Sequence, residues 1–185
     1  NIYRGRELTS LNIDQVSADY IGMLSTIMNG IALSNFLSSN NCENSLFSSF
    51  AIGNFVKAYS KEEAEKSLVE DKIVILVGGL GNPLFTTDST ASVRAVELNS
   101  DVMLKATNVD GVYSDDPKVN KEAIKYEHLS FDEAITKNLK VMDQTSLCFC
   151  RDNNLSVRVF NADAEGAILE AIINENTDIG TLVEL

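Results

Sequence analysis

The apolar run "KIVILV", Lys72 to Val77, passes directly into "GGLGNPLFTTDSTASVRAVEL", Gly78 to Leu98, and no other feature restricts the fold as much. The run is too short for a helix and rich in β-branched residues, so it reads as a strand buried on both faces. The glycine- and threonine-rich loop then hands over to a helix reaching about Leu98, capped by Asp88 or a neighbouring threonine. "DVMLKAT", Asp101 to Thr107, is the next buried strand. A strand, crossover helix, strand unit pairs its strands in parallel with a right-handed connection, which gathers the loops after the strands on one sheet edge. Both "GGLGNPLFTTD" and "NVDGVYSDDP" fall on that edge.

The rest of the chain keeps an α/β pattern. From Val16 to Leu37 the residues Tyr20, Met23, Leu24, Ile27, Met28, Ile31 and Leu33 recur mostly at three- and four-residue intervals, the signature of a buried amphipathic helix. "LFSSFAIGNFVKAYS" is ambiguous between strand and loop, and "KEEAEKSLVE" is a short charged helix. "SFDE" at Ser130 to Glu133 is a capping box, and Asp143 caps "QTSLCFCRDNN". "SVRVFN" gives a further strand, "DAEGAILEAIIN" a helix with Asp163 near its cap, and "IGTLVE" a closing strand. No repeat or linker interrupts this order, so the expectation is one domain over residues 1–185 whose first part is missing.

Charge narrows the ligand. With 15 basic against 27 acidic residues and a net charge of -12, the chain has no excess of cations for nucleic acid or an anionic membrane. A small phosphorylated molecule remains compatible, provided that helix N-termini, glycine amides and a few cations offset the global field locally. Cys42, Cys148 and Cys150 lack metal or redox spacing and read as ordinary buried thiols. No apolar run approaches the ~20 residues of a membrane span, and no signal peptide opens the chain. These features together read as soluble and cytoplasmic.

In the first loop, Gly78, Gly79 and Gly81 allow close approach to backbone, while Asn82, Thr86 and Thr87 offer polar groups beside a helix start. It is neither a Walker A loop nor a G-x-G-x-x-G fingerprint, since Leu84 stands at the third glycine's place. Asp88 is either a simple cap or a carboxylate that orients a lysine or Mg²⁺ at a phosphoryl-transfer centre. In the second loop, Tyr113 is able to flank a purine and Asp115 or Asp116 to bind ribose hydroxyls; a solvated acidic loop explains the same letters. Asp19, on an otherwise apolar helix face, needs a partner or a sugar ligand. Arg4, between "NIY" and Gly5, suits a phosphate-facing loop, and His128 has no triad or metal constellation around it.

Taken together, "NIYRG", "ADYIGMLSTIMNGIAL", "GGLGNPLFTTDSTASVRAVEL", "DVMLKATNVDGVYSDDP", "LKVMD" and "CRDNNLSVRVFN" resemble the bacterial uridylate kinases of the amino acid kinase superfamily, over essentially the whole chain. The resemblance implies a mainly parallel sheet sandwiched between helices and transfer of the γ-phosphoryl group of ATP, carried with Mg²⁺, to UMP. It implies a UMP-side half, about 1–100, and an ATP-side half, about 101–185. Leu80, Gly81, Asn82, Pro83, Leu84, Phe85, Thr86 and Thr87 look like the UMP loop, and Asp19 like the ribose ligand. Thr107, Tyr113 and Asp116 look like ATP contacts, with Arg4 near the phosphates. Asp88 looks like the aspartate that organises the catalytic lysines, and Asp143 is a weaker active-site candidate. No protein-held metal is implied. A homohexamer, activation by GTP and feedback by UTP follow from the resemblance alone.

Two departures stand out. Leu80 occupies a position where that family usually has threonine, which removes a hydroxyl from the loop. The family's opening strand, with a lysine and a glycine-rich turn for the ATP phosphates, is not in these residues. Two alternatives therefore stay open: a catalytically silent nucleotide-binding regulatory subunit, and another superfamily kinase that phosphorylates a carboxylate.

Overall fold

A computed structural model describes residues 13–117, 119–174 and 178–185. The chain forms two compact units, residues 1–90 and 91–185.

The first unit is built on a parallel three-stranded sheet of order β2-β1-β3, formed by β1 (Asn44–Ser48), β2 (Lys57–Ala58) and β3 (Ile73–Val77). The ambiguous segment thus supplies both β1 and β2. Helices α1 (Gln15–Ser39) and α2 (Lys61–Val69) pack on β1 and β3. Each starts at a side-chain cap: Asp14 accepts from the Ser17 N–H at 3.0 Å, and Ser60 accepts from the Glu63 N–H at 3.5 Å. The burial of β3 is partial rather than complete on both faces, contrary to expectation: Ile75 is buried, Val74, Leu76 and Val77 are half-buried, and Ile73 at the strand's start is exposed.

Helix α1 buries a narrower stripe than the seven apolar residues read as its buried face. Only Ala18, Met23, Ile27 and Gly30 are buried, while Tyr20, Leu24, Met28, Leu33 and Phe36 are exposed. With 25 residues it is, against the expectation above, long and apolar enough to cross a membrane by length and composition alone. Its buried stripe lies against the sheet, and Asp19 in its second turn is hydrogen-bonded to the loop after β3.

The second unit centres on a four-stranded sheet of order β4-β8-β9-β7, from β4 (Val102–Thr107), β7 (His128–Ser130), β8 (Ser156–Asn161) and β9 (Thr181–Glu184). β4 and β8 are parallel, as are β7 and β9; only β8 and β9 run antiparallel. A small antiparallel pair, β5 (Val112–Tyr113) with β6 (Lys125–Tyr126), carries the second loop. Helix α3 (Thr87–Glu97) holds the boundary between the units. Consequently β3 and β4 belong to different sheets and do not form the direct parallel pair expected; each makes its parallel ladder inside its own unit, with β1 and with β8.

The core of the second unit joins Met103, Leu129, Phe131, Leu147, Cys150, Val157 and Val183. Each large apolar side chain buried there contributes about 1.5–3 kcal/mol. Helix α4 (Phe131–Thr136) opens at Ser130, whose hydroxyl accepts from the Glu133 N–H at 3.1 Å, as the capping box predicts. Helix α5 (Gln144–Asp152) opens at Asp143. Helix α6 (Ala167–Ile173) begins later than expected: its N-cap is Gly166 in the left-handed region, and Asp163 instead sits in a turn closed by the Asn161 side chain at 2.9 Å. Of the cysteines only Cys150 is buried; Cys42 and Cys148 are partly exposed free thiols. His128 is exposed and faces Glu184 at 3.2 Å across the β7/β9 pair.

Gly180 has a steric reason to be glycine. Its φ is +78°, and a Cβ there would lie 2.0 Å from the Val159 carbonyl oxygen, so no side chain fits where the chain enters β9.

Candidate functional site

Within the first unit, the loop that follows β3 is held from three sides. Gly78, at φ +79°, donates its N–H to the Thr26 hydroxyl of α1 at 2.9 Å, and a Cβ there would lie 2.7 Å from the Ser48 hydroxyl oxygen. The Ser49 hydroxyl donates to the Gly79 carbonyl in a short hydrogen bond. From α1, Asp19 accepts the Leu84 N–H on Oδ2 at 2.8 Å and the Gln15 side-chain amide on Oδ1 at 2.6 Å. Asp19 therefore has the partners that a half-buried carboxylate requires. Leu84 adopts φ +71°, a conformation unusual for a branched residue, and the bond to Asp19 spans that position.

Held this way, the loop leaves its tip accessible. Asn82, Leu84, Phe85, Thr86 and Thr87 are exposed, while Leu80, Gly81 and Pro83 are half-buried. Thr86, rather than Asp88, caps α3: its hydroxyl accepts from the Ser89 N–H at 3.1 Å and its carbonyl from the Thr90 N–H at 3.1 Å. Asp88 then stands half-buried in the first helical turn, beside the remaining N–H groups of the helix start.

The second loop lies within the second unit and borders a pocket of about 380 Å³. Tyr113, Asp115, Asp116 and Pro117 form one wall, and Lys137, Leu139 and Lys140 another. The Tyr113 hydroxyl donates to the Asp110 carboxylate at 2.9 Å; that bond, with some desolvation, pushes the phenol above its usual range. Asp115 is held below the usual carboxylate range by the Asn120 side-chain amide at 3.1 Å and by the Asp116 N–H at 2.8 Å. Thr107 is not part of the pocket wall. Its hydroxyl ties the end of β4 together, donating toward the Val109 carbonyl at 2.8 Å and accepting the Val109 N–H at 3.1 Å.

Asp143 commits one oxygen to the Ser146 N–H at 2.9 Å and the other to the Ser146 hydroxyl at 2.7 Å, the full geometry of a helix cap. Arg4 lies outside the described residues. Sequence reasoning did not single out Gln15, Thr26 or Ser49, which hold the first loop, or Lys137 and Lys140, which line the pocket. Thr26 and Gln15 carry a signal in retrospect, since both are polar positions on a helix otherwise read for its apolar stripe.

A loop so built, ending a parallel strand and opening a helix with exposed backbone and threonines, suits an anionic ligand. Comparison with known proteins is decisive here, because the amino acid kinase family matches residues 4–161. The chain belongs to the amino acid kinase family. Within that family it is similar to the uridylate kinase of Alcanivorax borkumensis, 44% identical over 184 residues, covering 100% of this chain and 72% of the relative. The uridylate kinase of Coxiella burnetii is 45% identical over 184 residues and is covered to 75%. The crystal structure of UMP kinase from Bacillus anthracis superposes with a TM-score of 0.94 at 39% identity, covering 100% of this chain and 75% of that one. The α/β fold with parallel ladders is thus that of the uridylate kinase branch, and both loops described above lie within the matched residues.

Proposed function

We propose that this chain is a UMP kinase, transferring the γ-phosphoryl group of ATP to UMP to give UDP. The observation that supports the reading best is identity of 41–45% over 184 residues to proteins named uridylate kinase, with the "GNPLFTTD" loop leading into a helix capped by Thr86. A kinase acting on an amino acid or carbamate would not need this loop paired with "DGVYSDDP".

In this reading UMP lies against Leu80 to Thr87, with Asp19 accepting from the ribose hydroxyls. Its carboxylate is already aligned by Gln15. ATP uses the pocket beside Tyr113 and Asp116, and Thr107 shapes the strand end that leads there. Transfer is in-line with no covalent intermediate, so catalysis comes from alignment and charge neutralisation. Asp88, in the first turn of α3, organises cations at the transferring phosphoryl group, and Arg4 supplies one of them. Asp143 serves by fixing the start of α5, since Ser146 takes both of its oxygens.

Mg²⁺ fits as an ion carried by the nucleotide, because Asp115 and Asp143 spend their oxygens on protein donors and leave no all-protein cage around them. Bound with ATP, it neutralises phosphate charge. The same reading makes the protein a cytoplasmic enzyme of pyrimidine nucleotide synthesis, a homohexamer answering to GTP and UTP. The exposed apolar residues of α1, Tyr20, Leu24, Met28 and Phe36, support self-association.

The test is UDP formation from ATP, Mg²⁺ and UMP by protein of verified intact mass, with CMP, aspartate and glutamate as parallel acceptors. UMP-selective turnover is expected. Turnover on a carboxylate acceptor overturns the UMP assignment, and UMP binding without any turnover reassigns the chain as a regulatory nucleotide-binding subunit.

A further inference from the structure

The pocket beside Tyr113 is bounded in part by β5 itself, since Val112 and Tyr113 both line it. β5 is two residues long, and its antiparallel partner β6 is equally short. A strand pair so small does not hold its own shape in water, so its place is set by what it rests on. In register, Val112 faces Tyr126. The hydroxyl of Thr181, the first residue of β9, joins these two: it accepts the Val112 N–H at 2.8 Å and donates to the Tyr126 carbonyl in a short hydrogen bond.

Thr181 gives that bridge a fixed base. It is fully buried, it stands opposite Val159 in the β8/β9 ladder, and β9 has a strand on each side. Gly111, just before β5, packs directly on it: a Cβ there would lie 2.7 Å from the Thr181 hydroxyl oxygen. Tyr126 carries the connection to the opposite wall, because its own hydroxyl lies 3.3 Å from the ammonium of Lys137, which lines that wall. Val112 is buried as well, so removing the Thr181 hydroxyl would take the acceptor from a buried N–H. Such a group is costly to leave unpaired, and β5 would have to shift to find another partner.

We infer that Thr181 is a positioning residue for this pocket: its hydroxyl sets the place of β5, and so of the Tyr113 wall against which the base and ribose of a nucleoside triphosphate lie. Thr181 does not itself line the pocket, so it acts through Val112 and Tyr126. This rests on the reading of the pocket as the base and ribose end of the ATP site. It does not rest on the identity of the acceptor.

The experiment measures equilibrium binding of ATP, adenosine and UMP, each separately, to the full-length protein and to its Thr181→Val and Thr181→Ser variants. Val keeps the volume and loses the hydroxyl, whereas Ser keeps the hydroxyl. The expected result is a roughly tenfold loss of affinity for ATP and adenosine alike in Thr181→Val, because both ligands carry base and ribose. Thr181→Ser should stay within about twofold of wild type, and UMP affinity should be unchanged in both variants. A lower melting temperature with unchanged ATP and adenosine affinity makes Thr181 structural only and overturns the inference, as does an equal loss in Val and Ser or an equal loss for UMP. Amide hydrogen exchange keeps the two hypotheses apart. Wild-type protein that binds ATP without protecting the Tyr113 and Asp116 amides holds it elsewhere, which refutes the pocket reading and this inference together. Protection of those amides by ATP, with an affinity indifferent to Thr181→Val, leaves the pocket reading standing and removes Thr181 from it. If Thr181→Val does not fold, Thr181→Ala measured against Thr181→Ser, a pair that differs by the hydroxyl alone, decides.

Discussion

The Asp19 carboxylate accepts the Leu84 N–H at 2.8 Å, joining the second turn of α1 to the loop after β3 across 65 positions of sequence. One residue thereby serves the loop's shape and the proposed ribose contact. Asp19→Ala should remove both functions, raising KM for UMP by roughly tenfold to a hundredfold, since a charge-assisted bond contributes about 1.5–3 kcal/mol. Asp19→Asn keeps an oxygen for the Leu84 N–H and should fall between wild type and Ala. Steady-state kinetics with UMP varied at saturating ATP check the order. Equal KM values in all three proteins would remove Asp19 from the UMP site.

Asp88→Asn keeps size and removes charge at the first turn of α3. If Asp88 organises cations at the transferring group, kcat should drop by roughly 10²-fold with little change in KM for either nucleotide, because the lost interaction matters most in the transition state. Thr86, which caps the helix, keeps α3 intact in this variant, so circular dichroism should be unchanged. Near-wild-type turnover would reject the organising role.

Leu80→Thr restores a hydroxyl to the first position of the proposed UMP loop. Leu80 is half-buried and at the loop's start, so the substitution exchanges modest apolar burial for one hydrogen-bonding group. A twofold to fivefold decrease in KM for UMP is expected, on the order of 0.5–1 kcal/mol. An increase would mean that Leu80 packs against the bound nucleotide.

Much of this was legible in the letters, and the reasons are local. "KIVILV", "DVMLKAT" and "SVRVFN" announce strands because they are short, largely apolar runs bounded by polar or turn-forming residues and too short for a helix, and Ser130 and Asp143 announce helix starts because a cap needs only its own turn. Long-range choices were not legible. Nothing in "KIVILV" says that its ladder partner is β1 rather than β4, since parallel registry is set by contacts distant in sequence. The same holds for α1, whose three- and four-residue spacing marks an apolar stripe but not how much of it the sheet covers. At the site, Asp19 and the glycine loop were visible as types out of place. Gln15, Thr26 and Lys140 were not, because a polar residue on a helix or in a loop is ordinary until its partner is known.

The Tyr113 phenol donates to Asp110, and this bond exists only while the phenol is protonated. Its pKa is raised in the folded state above the usual value near 10. The stabilisation is therefore fully present below about pH 10 and is lost as pH rises through the higher folded-state value. In Asp110→Asn the acceptor loses its charge, so the Tyr113 titration should move down toward the ordinary tyrosine range. Ultraviolet difference titration of wild type, Asp110→Asn and Tyr113→Phe isolates this residue from the other tyrosines. The alkaline loss of ATP binding should begin at lower pH in Asp110→Asn than in wild type if Tyr113 lines the nucleotide pocket with its neutral ring. Coincident alkaline limits in the two proteins would mean that Tyr113 ionisation does not matter to binding, and would place the base elsewhere in the pocket.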